Sequence, residues 1–158
     1  MQHILEIFLT KFDHEQVVYH RVEIDITQQT ENPDELVLLA VQKYSSQIIG
    51  RQRLISHSTS WRYVEGGKTI ITYIVYSDDF EFTPSTCSLI DFSSLKILDS
   101  GDAAKPAPNN ITVENVISHG IRHLAYLVVH NPSLYAQVIN TDSLTNFHTI
   151  DKALAGKI

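Results

Sequence analysis

The feature that most constrains the fold is at the start of the chain, where Ile4 to Phe12 reads ILEIFLTKF and Gln16 to Ile26 reads QVVYHRVEIDI. Asp13-His14-Glu15 separates the two runs, so two strands joined by a short polar turn explain the pattern. In the second run Val18, His20, Val22 and Ile24 alternate with Tyr19, Arg21, Glu23 and Asp25. A period of two is what a strand with one buried face requires. A hairpin cannot bury that face alone, so further strands and covering helices must follow.

The first helix is announced by Asn32-Pro33-Asp34-Glu35: a capping side chain, a proline at the first helical position and acids in the first turn. It is expected from about Pro33 to Ile48, with Leu36, Leu39, Ala40, the Lys43 stem, Tyr44 and Ile48 on its inner side and Gly50 as the stop. A second hairpin is expected from Leu54 to Tyr63 and Thr69 to Ser77, because Gly66-Gly67 supplies the positive φ angles of a two-residue turn. In that register Trp61 faces Thr72 and His57 faces Tyr76. Strict alternation then divides the strand, with His57, Thr59, Trp61 and Tyr63 on one face and Ser56, Ser58, Ser60 and Arg62 on the other.

Beyond Thr83-Pro84 another strand is expected from Thr86 to Phe92, with Leu95 to Leu98 as a further short piece, and Asp99 to Asn110 reads as an exposed loop. Thr112 is the natural N-cap of a second long helix that continues to about His130 and stops before Pro132. A short helix from Ser133 to Val138 is expected next. In the polar tail Phe147, Ile150 and Leu154 are placed to dock a last helical turn. Strands in pairs, separated by helices, predict an α+β fold: a mainly antiparallel sheet of about five strands covered by two principal helices. The length of 158 residues suits one globular domain over 1–158.

Charge sets several functions aside. Lys and Arg total 12 against 18 Asp and Glu, a net charge of −6 that repels a phosphate backbone, so no nucleic-acid partner is expected. The longest apolar helical run, near Ile121 to Val129, is broken by Arg122 and His123, so no membrane span is expected either. With Cys87 as the one cysteine there is no internal disulfide, and a cytoplasmic location follows as the expectation. The Cys87 setting, Thr-Cys-Ser-Leu-Ile, reads as a core thiol rather than a nucleophile.

Two constellations carry chemistry. His119, His123, Tyr126 and His130 fall in one narrow stripe of the second long helix, and His119 and His123 are four apart, a spacing that points two imidazoles the same way. The stretch His119-Gly-Ile-Arg-His123 lacks the glutamate of the zinc-protease pattern. The spacing alone favours a polar helix face, and neither a metal nor a cofactor is expected. Were an ion to bind, His57 would be the third ligand. The second constellation, Ser58 and Ser60 with Arg62, presents hydroxyls and a guanidinium suited to a carboxylate, a phosphate or a sugar-like ligand. Exposed strand faces also carry such hydroxyls without a ligand. His57 and Ser58 are strand neighbours on opposite faces, so they do not form a nucleophile–base pair, and no Gly-x-Ser-x-Gly elbow is present. Gly66-Gly67-Lys68-Thr69 lacks the earlier glycine and the following helix of a phosphate loop. Trp61 is expected in the core, with tyrosines at its boundary.

His57-Ser-Thr-Ser-Trp-Arg-Tyr63, the strand Ile70 to Val75 and Ser118 to Leu124 resemble a cyanobacterial family of short, uncharacterised proteins. That resemblance implies no activity, cofactor or site residue. The residues themselves point first to a binding protein for a small polar or anionic ligand or for a protein partner, with homodimer formation through an edge strand open to it. Arg62, Ser58, Ser60, His57, His119 and His123 are the candidate ligand contacts. The alternative is a hydrolase-type enzyme with a His-centred site, metal-dependent or not.

Overall fold

The computed structural model describes residues 1–44, 53–95 and 111–155. The opening hairpin is present as β1 (Gln2–Asp13) and β2 (Gln16–Asp25), paired antiparallel from Ile4↔Asp25 to Asp13↔Gln16. The tight turn places His14 at φ 52, a left-handed conformation. Next come α1 (Pro33–Tyr44), β3 (Ile55–Val64), β4 (Lys68–Tyr76) and β5 (Ser88–Asp91). The order across the sheet is β3-β4-β1-β2-β5, and β1 with β4 is the parallel pair in a sheet otherwise antiparallel. The helices α2 (Val113–His130), α3 (Pro132–Tyr135) and α4 (Thr141–Ala155) complete an α+β fold.

Residues directly paired across strands share a face, so the register sorts the core into two layers. Leu5, Ile7, Leu9, Tyr73 and Val75 are buried with Leu36, Val37, Ala40 and Val41 of α1. On the opposite face Phe8, Ile74 and Tyr76 are buried with Ile117, Ile121, Leu124 and Val128 of α2 and with Phe147 and Ile150 of α4. The sheet is thus sandwiched between α1 and the α2–α4 pair.

Local chemistry explains the helix starts. The Asn32 side chain accepts from the backbone N–H of Asp34 at 3.0 Å, the capping role expected of it. At α2 the Thr112 hydroxyl accepts from the Asn115 N–H while the Asn115 side chain accepts from the Thr112 N–H, a reciprocal capping box. Asn140 accepts from the N–H groups of Asp142 and Ser143 and so opens α4.

Several expectations are corrected. In α1 the inner side is Leu36, Val37, Ala40 and Val41, whereas Leu39 is exposed; the stripe is one position off because Val37 and Val41, not Leu39, face the sheet. The part of the expected first helix beyond Tyr44, its stop at Gly50, and the stretch from Lys96 to Asn110 lie outside the described residues. The strand expected from Thr86 to Phe92 is shorter, β5 being confined to Ser88–Asp91, and Cys87, expected as a core thiol, lies just ahead of it and is half-buried. The short helix after Pro132 is a single turn, and the polar tail forms the full helix α4, a third substantial helix over the sheet rather than one docked turn.

Candidate functional site

The site is built by an irregularity in β3. Val64 pairs with Lys68 and Trp61 with Ile71, but the register shifts between Ser58, opposite Tyr73, and Ser60, opposite Thr72. Thr59 is the extra residue of a β-bulge, and a bulge re-aims the side chains that follow it. His57, paired with Ile74, and Ser60 and Arg62, paired with Thr72 and Ile70, therefore share the α2 side of the sheet. Ser58 and Trp61 lie on the α1 side. The expected division of the strand, and the expected pairs Trp61–Thr72 and His57–Tyr76, are replaced by this arrangement. Trp61 is 75% exposed rather than in the core, because β3 is an edge strand and its partner Ile71 is itself only partly buried.

Helix α2 can reach β3 closely because Gly120 faces it. A Cβ at this position would stand 2.9 Å from Ile74 Cδ1 and 3.5 Å from Thr59 Cγ2, so the absent side chain lets the helix settle on the bulge. Its flanking positions then bring His119 and His123 to the edge of β3. The His57 and His123 rings stack with centroids 5.8 Å apart and planes at 26°, and His119 lies against His123 at 4.4 Å. Burial pushes the His57 pKa below its ordinary value. The His123 pKa is lowered as well, first by loss of water around the ring and then by the neighbouring His119, His57 and Arg122. Among the described residues none of these three rings has a hydrogen-bond or ion-pair partner, in contrast to His130, which meets Asp151 at 3.1 Å, and His20, which meets the Thr86 carbonyl. As they stand, the three rings do not converge on one point, and no group of three His, Cys, Asp or Glu side chains among the described residues is placed to hold an ion.

Further along the same face lies a second polar cluster that sequence reasoning missed. Glu6 is fully buried, paired in register with Glu23 on one side and Thr72 on the other. Its Oε2 accepts from Arg21 Nε at 2.9 Å and Nη2 at 2.5 Å, and its Oε1 accepts from Arg62 Nη2 and the Thr72 hydroxyl, each at 2.9 Å. Arg62 also donates to the Thr72 hydroxyl at 2.9 Å, and Arg21 to Glu23 at 2.7 Å. Two guanidiniums thus meet two carboxylates, and the charge of Arg62 is compensated inside the protein. The signal for Glu6 was present as a lone acid in the apolar run Ile4 to Leu9, though nothing local named its partners.

Of the six candidate contacts, the structure brings His57, His119 and His123 into ring contact, sets Ser60 and Arg62 on the same side of β3, and turns Ser58 to the other face beside Tyr73. There the Tyr73 hydroxyl donates to Asp34 at 2.8 Å, and burial together with that carboxylate pushes its pKa up to about 12.

No protein-family pattern matches the chain. No curated protein matches its sequence. Among solved structures, a MutT/nudix family protein from Enterococcus faecalis is similar in fold, with a TM-score of 0.55 and 8% identity over 98% of this chain and 81% of that one. The likeness is one of fold. No helix among the described residues is long and apolar enough to cross a membrane.

Proposed function

We propose that the protein acts by binding, and that a small polar ligand with an anionic group seats on the face formed by His57, His119 and His123, with Ser60 beside it on β3. The observation that carries this reading is the unspent hydrogen-bonding capacity of three imidazoles brought together from two elements. Each ring offers a donor or an acceptor, and neighbouring polar groups without internal partners are open to a ligand. Arg62 takes a lesser part than its residue type suggests, since Glu6 already holds it.

The reading is tested by calorimetric titration of the chelator-treated protein with inorganic phosphate and with acetate. Saturable binding of at least one, lost in His123→Ala at unchanged melting temperature, supports it. No binding of either, or binding that the variant leaves intact, refutes it.

The second reading is a hydrolase-type enzyme using the same histidines as acid and base. It is favoured by the likeness in fold to a MutT/nudix family protein and by two imidazoles that burial holds toward the neutral form. Turnover of phosphate-ester or carboxylate-ester probes, abolished in His123→Ala, separates this reading from binding alone.

A further inference from the structure

We propose that Arg122 is the cationic anchor of the histidine face, and that the group it grips is a phosphate or a phosphate monoester rather than a carboxylate. This rests on the binding reading and adds to it the residue that supplies the charge and the class of anion. Arg122 stands apart in its pairing. Of the four arginines among the described residues, Arg21 and Arg62 meet Glu6 and Arg53 meets Asp79 at 3.3 Å, whereas Arg122 has neither a hydrogen bond nor an ion pair. Its Nε is buried without an acceptor, in a chain that carries 18 Asp and Glu against 12 Lys and Arg. A buried N–H left unpaired is costly, and more so on a charged group. Such an exception points to a partner that the chain itself does not supply.

Helix geometry sets Arg122 beside the histidines. With about 3.6 residues per turn, positions i, i+3, i+4 and i+7 form one continuous patch, neighbouring Cβ atoms lying about 5–6 Å apart. His119, Arg122, His123 and Tyr126 hold those positions on α2. His119 and His123 are exposed with rings 4.4 Å apart, Arg122 is half-buried, and Tyr126 is 61% exposed. The Arg122 charge is felt at His123, whose protonated form it disfavours. No carboxylate among the described residues is paired with any of the four, the nearby Asp151 being held by His130. The donor set selects the anion. A guanidinium fork takes two oxygens of one group, and a phosphate keeps a further oxygen for an imidazole N–H, which a carboxylate does not have. Such a ligand bridges neighbouring side chains of one helix face, so the rings need no common centre.

The test titrates the full chain calorimetrically with inorganic phosphate and with acetate, and follows its unfolding in urea with neither present. Phosphate is expected to bind more tightly than acetate. Arg122→Gln should weaken phosphate binding by roughly 10-fold or more, the worth of hydrogen bonds to a charged group expressed as affinity. Arg122→Lys keeps the charge and the stem but not the fork, so its affinity should fall between the two. Stability supplies a readout that a structural arginine would not give: because the guanidinium has no internal partner, Arg122→Gln should keep or raise the urea midpoint. An unchanged phosphate affinity in Arg122→Gln, a midpoint lowered in both variants, or acetate bound as tightly as phosphate overturns the inference. Phosphate binding lost in His123→Ala but kept in Arg122→Gln overturns it and leaves the binding reading standing. Binding lost in Arg122→Gln but kept in His123→Ala does the reverse, and acetate binding without phosphate binding overturns the inference alone.

Discussion

Two polar clusters share one face of the sheet and differ in what they have left to offer. Around Glu6 the charged groups engage one another: two guanidiniums and the Thr72 hydroxyl converge on one buried carboxylate, and the Arg21 Nη2 that meets Glu6 also donates to Glu23. Around His57 no ring has a partner beyond its neighbours' faces. A satisfied buried network rigidifies and specifies a fold, whereas unsatisfied groups at a surface seam are available to a ligand. Residue type alone would assign the roles the other way round, since arginines beside serines look more like an anion site than three histidines do.

The contrast is broken most severely at its closed end. Glu6→Ala leaves Arg21 and Arg62 facing each other without the carboxylate, and loss of one partner of a buried ion pair costs about 3–5 kcal/mol. Urea unfolding should report a loss of that order. A loss under about 1 kcal/mol, the value of an exposed pair, would show that the cluster is a surface feature.

Gly120→Ala acts on the seam between the clusters. Helix propensity favours alanine by up to about 1 kcal/mol, but a Cβ at 2.9 Å from Ile74 Cδ1 overpacks a site where Ile74 is 1% exposed, at a cost of about 1–3 kcal/mol. A net loss of roughly 1 kcal/mol in unfolding is expected, together with changed His57 and His123 resonances as the helix lifts from β3. Stabilisation with unshifted histidine signals would contradict this account of the seam.

A third probe addresses the opposite face. With the Tyr73 pKa raised to about 12, the folded protein retains a phenolic proton that the unfolded chain loses from about pH 10. The native state then binds more protons than the unfolded state, so stability is fully present below pH 10 and falls as pH rises toward 12. The pKa of Tyr76 moves in the same direction through burial. Tyr73→Phe should flatten the alkaline limb of the stability curve, and an unchanged limb would remove Tyr73 as a contributor.

The smallest stability change is expected at the open end. His57→Ala removes a half-buried ring without polar partners and should alter unfolding free energy by no more than about 0.5–1 kcal/mol, while abolishing ligand binding. A stability loss like that of Glu6→Ala would mean that the ring is a structural element.

Much of this was legible in the chain. The Asn32 cap, the Thr112 cap and the positive φ of Gly66 and Gly67, 94 and 79, each state a local rule that the structure obeys. Two other local rules fail: Val17, Val18 and Tyr19 are buried in succession, so the first half of β2 is covered on both faces instead of one, and Val64 pairs with Lys68, so the expected two-residue turn at Gly66-Gly67 takes in Glu65 as well. The β1–β4 parallel pairing was not legible, because it joins residues more than sixty positions apart and no local signal marks it. The bulge at Thr59 was hidden for a different reason. An extra residue inside an alternating run leaves the run looking alternate, yet it exchanges the faces of every position beyond it. With the three-residue turn that sets Val64 opposite Lys68, it puts Ser60 and Arg62 on the face of His57, where Arg62 meets Glu6, and leaves Ser58 and Trp61 on the other. Helix α4 did carry a signal, Asn140 as a cap followed by Ser143, Phe147 and Ile150 at helical spacing, but its polar composition masked it.

The most direct test of the open histidine site is side-chain NMR of the native protein during phosphate addition under chelator. The account predicts that the imidazole signals of His57, His119 and His123 shift together and saturate, while the Nε–H signals of Arg21 and Arg62 stay in place. Shifts at the two arginines with silent histidines, or no saturable shift at any of them, would contradict it.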